Sequence, residues 1–186
     1  MRSFMVAIRT SVFLMILCGL AYPLATTGVA QVLFHKQAEG SLVIQNGKVQ
    51  GSELLAQGFN GPQWFHPRAS AAKYDPTASA ATNAAVASKE YIKTVEGNVE
   101  NLKNENKNIN NRIPADLVTT SGSGFDPDLS PEAAKAQVPR IAQAMGISQD
   151  RLLSLINKHA KGRSLGIFGE PRVNVLELNI ALQSIK

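Results

Sequence analysis

Three histidines, one cysteine and a few serine- and glycine-rich turns are the only places where the 186-residue sequence could hold conventional chemistry. His35, His66 and His159 are far apart, and none has a second histidine or a cysteine three or four residues away, so the spacing of a zinc site is missing. Cys18 lies within an apolar run, which removes disulfides and thiolate metal sites from the rest of the chain. Asp126-x-Asp128 has neither the glycine nor the closing glutamate of an EF-hand loop, and two carboxylates before a helix predict capping. Gly122-Ser123-Gly124 lacks the Lys-Ser/Thr ending of a phosphate-binding loop. Ser70-Ala71-Ala72-Lys73 matches the serine-x-x-lysine pattern of acyl-transferring enzymes, but neither Ser-Asp-Asn nor Lys-Thr-Gly follows it. No catalytic or metal-binding set is expected, and a serine hydrolase built on Ser70 and Lys73 is the remotest alternative.

Charge gives little more. The net +5 divides into +2 for residues 1–40, −1 for 41–130 and +4 for 131–186, without the dense basic stripe of a nucleic-acid footprint. Lys158, Lys161 and Arg163 form the tightest basic group, placed where the end of a helix would welcome cations.

The strongest element is apolar. Thr10 to Phe34 carries no formal charge over 25 residues; as a helix it spans roughly 37 Å, against a hydrocarbon core of about 30 Å. Arg2 and Arg9 precede it without acidic neighbours, which predicts residues 1–9 in the cytoplasm, a transmembrane helix over 10–34, and residues 35–186 outside the inner membrane. A cleavable signal ending near Gly28-Val29-Ala30 is the competitor; continued apolarity through Phe34 favours retention. Pro23 should kink the helix, with Thr26 and Thr27 able to compensate locally.

Beyond the anchor, β-prone residues on either side of Asn46-Gly47 predict a hairpin. Residues 58–83 interleave glycines and prolines with Phe59, Trp64, Phe65 and Tyr74, which predicts an irregular loop pinned by its aromatics. Ile92, Val95, Val99, Leu102 and Ile109 outline one face of a helix starting near Ser88, weakened by seven asparagines between Asn98 and Asn111. Leu117–Thr120 reads as a short strand and residues 121–124 as a tight loop. Ser130-Pro131 opens a helix that Pro139 should bend and Gly146 close. Ser148 caps a helix ending at Gly162, and Asn174 with Glu177 starts the last one. The expected fold class is α+β: one N-terminal transmembrane helix, then a single compact extracytoplasmic domain with an early β-hairpin and later helices.

Taken in order, the motifs resemble the C subunit of the Kdp system, the bacterial ATP-driven high-affinity potassium pump (KdpC family). The resemblance runs through Tyr22-Pro23-Leu24 and Thr26-Thr27; Gly40-Ser41-Leu42; Phe65-His66-x-Arg68-x-Ser70; Tyr74-x-Pro76 and Asn83. It continues through Asp116-Leu117-Val118-Thr119, Ser121-x-Ser123-Gly124-x-Asp126, Gln137-Val138-Pro139-Arg140 and Gly169-x-Pro171-x-Val173-Asn174-Val175-x-Glu177-Leu178-Asn179. The asparagine-rich span departs from it.

The resemblance implies a non-catalytic subunit working with a potassium-conducting, channel-like subunit and an ATP-hydrolysing P-type subunit. The family's usual description is a catalytic chaperone that raises the ATP affinity of the latter. ATP and potassium would act in the complex; no cofactor is expected on this chain, because ATP is cytoplasmic and the domain is expected outside. Arg68, Asn83, Gln137 and Arg140 are candidate polar contacts to a partner, in a domain that caps the outer mouth of the conducting subunit. Purely structural roles compete at each signature position: Ser121, Ser123 and Asp126 shaping a loop, Gln137 satisfying backbone near Pro139, His66 bonding within the aromatic loop. The alternative function is a membrane-anchored module that binds a soluble ligand or cell-wall component through residues 59–74.

Overall fold

The computed structural model describes residues 2–107, 109 and 112–185, in two compact units that divide after Leu42. In the first unit, α1 (Arg2–Ile16), a π-helical turn (Leu17–Ala21) and α2 (Tyr22–Leu33) run as one helix of 32 residues, long and apolar enough to cross a membrane. It begins eight residues before the expected span. Pro23 has no N–H for the carbonyl one turn back, and its ring crowds that turn; the widened segment lies directly upstream, with Tyr22 N–H reaching the Leu17 carbonyl. Thr26 donates to the Tyr22 and Pro23 carbonyls at 2.9 and 3.0 Å, so its hydroxyl is satisfied without water. The helix stops at Leu33, not Phe34: Phe34 leaves helical geometry, and the short α3 (His35–Ala38) follows.

The hairpin of β1 (Leu42–Gln45) and β2 (Lys48–Ser52) follows, all but its first residue, Leu42, belonging to the second unit. Asn46 and Gly47 have φ of 52° and 73°, the left-handed pair of a type I′ turn. No helix or extended strand occurs from Gln57 to Ala87. α4 (Lys89–Glu105) starts where expected, Ser88 Oγ accepting the Tyr91 N–H, but none of its residues is buried and Ile92 faces outward. Ile109 lies past its end, and Asn108, Asn110 and Asn111 of the asparagine-rich span fall outside the described residues.

Leu117–Thr120 is not a strand. Ala115–Leu117 form a 3₁₀ turn, and Thr119 bonds back to the Ala115 carbonyl through both N–H and hydroxyl; only Thr120 makes an isolated bridge, parallel to Ala69. Pro114 leads into this turn, and local bonds outweigh the β-propensity of a Val-Thr-Thr run.

The core belongs to the C-terminal third. α5 (Pro131–Ala136), α6 (Val138–Met145), α7 (Gln149–His159) and α8 (Val175–Gln183) bury Ile141, Leu152, Ile156, Leu178 and Leu182. Ser130 caps α5 through the Ala133 N–H, and Gly146 at φ 67° closes α6. Ser148 holds the N-cap position of α7 without a side-chain bond, and that helix ends at His159, before Gly162. A two-residue antiparallel ladder that the sequence did not announce pairs β3 (Asp128–Leu129) with β4 (Val173–Asn174), Asp128 opposite Asn174. Between α7 and β4, residues 161–172 form a hairpin-like projection, bridged at Lys161–Arg172 and Ser164–Phe168. Its cations are not helix-dipole partners: Lys161 pairs with Glu177 at 3.0 Å and Arg163 with Glu170 at 2.9 Å. The protein is thus mixed helix and strand, with an apolar N-terminal helix.

Candidate functional site

Proline 139 decides the geometry. The helix begun at Ser130 breaks between Ala136 and Val138, leaving Gln137 as the linking residue, and two buried polar side chains from this break turn onto the irregular loop. Gln137 Oε1 accepts the His66 N–H at 2.8 Å while its Nε2 donates to the His66 carbonyl at 3.1 Å. From α8, Asn179 treats the preceding residue alike: Oδ1 accepts the Phe65 N–H and Nδ2 donates to the Phe65 carbonyl, both at 2.9 Å. Two side-chain amides therefore replace the partner strand that an extended segment would otherwise require.

Arg140, only 9% exposed, completes the clasp. It donates to the carbonyls of Pro62 (2.7 Å), Trp64 (3.0 Å) and, weakly, Gly61 (3.4 Å). Gln137 Oε1 at 2.8 Å and Asn106 Oδ1 at 3.0 Å take its remaining donors. All of these acceptors are neutral, and burial lowers the pKa of the guanidinium. Fixed amide dipoles carry out the solvation that a carboxylate usually performs. Between these attachments Phe65 is fully enclosed in the core, with Phe59 and Trp64 packed against it.

His66 is held by its backbone, and its Nε2 donates to the Gly61 carbonyl at 2.9 Å. Its Nδ1 lies 3.6 Å from a Glu105 carboxylate oxygen. Burial, then the Arg140 charge, pull its pKa below 6.5 despite that carboxylate, so the ring is neutral at pH 7.

A second cluster gathers Arg68, Ser70, Ser121, Ser123 and Asp126. Arg68 Nη1 meets Asp126 at 2.9 Å and Nη2 reaches the Thr120 carbonyl at 3.3 Å. Ser121 Oγ accepts the N–H groups of Gly124 and Asp126 at 3.1 and 3.3 Å, and Ser123 Oγ accepts that of Phe125 at 3.1 Å. Gly124 has φ +77°, and a Cβ there would lie 2.8 Å from the Ala80 carbonyl oxygen. Ser70 Oγ accepts the Tyr74 N–H at 3.1 Å, and Tyr74 OH donates to the Arg68 carbonyl at 2.8 Å. The two aspartates do not cap α5: Asp126 pairs with Arg68 and Asp128 with Arg172 at 3.1 Å, while Ser130 N–H goes to Asp116.

The remaining signature positions stand apart. Asn83 is exposed, at φ 50°. Asn174 caps α8 through the Glu177 N–H and donates to the Glu53 carbonyl at 2.8 Å, tying the root of the first hairpin to β4. Tyr22, Pro23, Thr26 and Thr27 lie in the first unit. Asn179 and Asn106, which prove to be principal holding groups, were legible only as a member of the C-terminal motif and as one asparagine among seven. No cluster of three or more His, Cys, Asp or Glu side chains suited to a metal occurs among the described residues.

Chemically, these arrangements hold backbone; Arg68, Gln137 and Arg140 direct their donors into the domain. The sequence comparisons agree with the order of the motifs. The family model described as KdpC, the K+-transporting ATPase c chain, matches residues 4–184. A potassium-transporting ATPase KdpC subunit of Geobacter sulfurreducens is 46% identical over 189 residues, covering 100% of this chain and 99% of that protein. Proteins of the same name from Caldanaerobacter subterraneus and Rhodopseudomonas palustris are 46% and 48% identical, covering 94% and 93% of this chain and 91% and 93% of their own lengths. With a clasped aromatic loop, an apolar N-terminal helix and matches of this extent, the chain belongs to the KdpC family of K+-transporting ATPase subunits.

Proposed function

We propose that this chain is a non-catalytic accessory subunit of a potassium-importing P-type ATPase complex. In this reading its second unit lies outside the cytoplasmic membrane and caps the outer mouth of the potassium-conducting subunit. Family membership supports the accessory role. Arg2 and Arg9, ahead of the apolar helix and without acidic neighbours, support the orientation. The observation that carries the mechanical part is the clasp: Gln137, Arg140 and Asn179 fix an aromatic segment with no secondary structure against a compact helical core. A rigid body of this kind suits a subunit that stabilises one state of its partner, since a cap favours only the state it fits.

ATP and potassium act elsewhere in the assembly. Any rise in ATP affinity at the ATP-hydrolysing subunit passes through the anchor helix, because in this orientation the domain and the nucleotide are on opposite sides of the bilayer. The ligand-binding-module alternative is disfavoured by the enclosure of Phe65 and the inward packing of Phe59 and Trp64, the rings that such a site would have to present.

A chain cut after Gly40, co-expressed with the other subunits, tests the reading. Loss of stable assembly or a weakened potassium affinity is expected; unchanged assembly and affinity overturn it.

A further inference from the structure

Helix α4 is joined to the rest of the domain by polar bonds more than by packing. None of its side chains is buried, and beneath its first half lies an apolar cavity of about 120 Å³ lined by Ala84, Tyr91, Val95 and Val118. Asn98 Nδ2 donates to the Val118 carbonyl at 2.9 Å. At the C-terminal end Asn106, only 4% exposed, accepts from Arg140 Nε at 3.0 Å, and the residue before it, Glu105, faces His66. Two consecutive residues at the end of α4 therefore touch the segment around Phe65 and the arginine that holds it.

The His66 tautomer leaves one of these contacts incomplete. A carbonyl oxygen only accepts, so Nε2, 2.9 Å from the Gly61 oxygen, carries the proton, and the neutral ring turns a bare Nδ1 lone pair toward the Glu105 carboxylate at 3.6 Å. Two acceptors face each other with no proton between them. A proton on Nδ1 makes the same pair a charge-assisted hydrogen bond. The charges acting on the ring are Glu105 from α4 and Arg140 from α6; Lys107, the other cation in the cleft that these two line, is exposed. Arg140 is fixed by Gln137 and by the Pro62 and Trp64 carbonyls, so its repulsion opposes protonation whether or not the end of α4 is attached. The Glu105 carboxylate is the charge that attachment alone brings to the ring, and protonation therefore favours the attached state.

We infer that the His66–Glu105 contact is a proton-operated catch, open while the ring is neutral and closed by protonation of His66 Nδ1, which clamps the C-terminal end of α4 onto the aromatic loop. Its direction is opposite to the effect of acid on the whole domain. Burial and Arg140 keep the ring's pKa below 6.5, so acid lowers overall stability while tightening this one attachment. With the domain outside the membrane, as proposed above, the catch responds to the acidity of the medium; that role rests on the orientation, and the catch itself does not.

The test follows the full-length chain in detergent micelles from about pH 7.5 to about pH 4.5, a range that spans histidine titration. NMR reads the His66 ring, and hydrogen exchange reads the amides of residues 103–106, each rate corrected for its pH dependence in an unstructured chain. Protection of those amides should rise about two- to fivefold on acidification, the range that one exposed ion pair supplies, with the same midpoint as the ring. Protection that stays level, falls, or rises at another midpoint overturns the catch, as does a ring that takes up no proton over this range. In Glu105→Gln the rise should vanish and the ring should titrate at still lower pH; a persisting rise, or a ring pKa unchanged or raised, overturns it as well. The Glu105 side chain is 55% exposed, so this variant should keep the wild-type unfolding temperature at neutral pH; if it does not, the coincidence of the two midpoints in the wild type decides. None of these readouts involves another subunit, so failure of the catch leaves the subunit reading standing.

Discussion

The aromatic loop around Phe65 and helix α4 invert the usual relation between regularity and order. The loop has no repeating backbone bonds, yet Phe65 is fully enclosed and the carbonyls of Pro62, Trp64, Phe65 and His66 are each bonded by a side chain from elsewhere. Helix α4 has seventeen residues, a bonded N-cap and its own hydrogen-bond ladder, yet buries none of its side chains. The loop depends on a few distant polar groups, and the helix on local geometry. The first should fail all at once when a holding group is removed, and the second only by local fraying.

The comparison is most severely challenged at Arg140. Arg140→Ala should destabilise the domain by about 3–5 kcal/mol, since several buried acceptors lose their donor together; thermal unfolding of the detergent-solubilised chain measures it, and a loss below 1 kcal/mol would show that the clasp is incidental. Asn179→Ala removes both bonds to Phe65 and should cost about 2–3 kcal/mol by the same measurement. His66 sharpens the contrast through pH. Its folded pKa lies below 6.5, so the unfolded chain binds the proton more readily, and the contribution of the neutral ring is present above pH 6.5 and lost as pH falls through the folded value. Unfolding midpoints followed downward from pH 6.5 should show this loss in the wild type and less of it in His66→Gln. The smallest effect belongs to the helix. Ser88→Ala should cost about 1 kcal/mol locally, seen as faster amide hydrogen exchange at the start of α4, with the global midpoint nearly unchanged.

Much of the helical architecture was legible because its causes are local. Ser88, Ser130, Gly146 and Asn174 mark helix ends by side-chain or left-handed geometry, and Asn46-Gly47 demands its turn whatever surrounds it. The candidate site was legible as a set of residues but not as a mechanism of holding. Gln137 and Arg140 were expected as groups for a partner or as backbone satisfiers, and the geometry directs both inward onto a segment more than seventy residues away. The 161–172 projection was not legible for a related reason: Gly162 resembles a helix stop, whereas the helix already ends at His159 and the bridges at Lys161 and Ser164 form across the chain.

By itself the sequence determined the apolar span, the hairpin turn, the helix caps and the break at Pro139, since each follows from the conformational limits or solvation of a few neighbouring residues. Only the tertiary structure decided that Val118 lies in a turn instead of a strand, that a buried arginine is solvated by amides, and that Leu165, Ile167 and Phe168 are left outside the core. Those outcomes depend on which distant groups compete for the same hydrogen bonds and the same buried volume, and that competition is settled only when the whole domain packs.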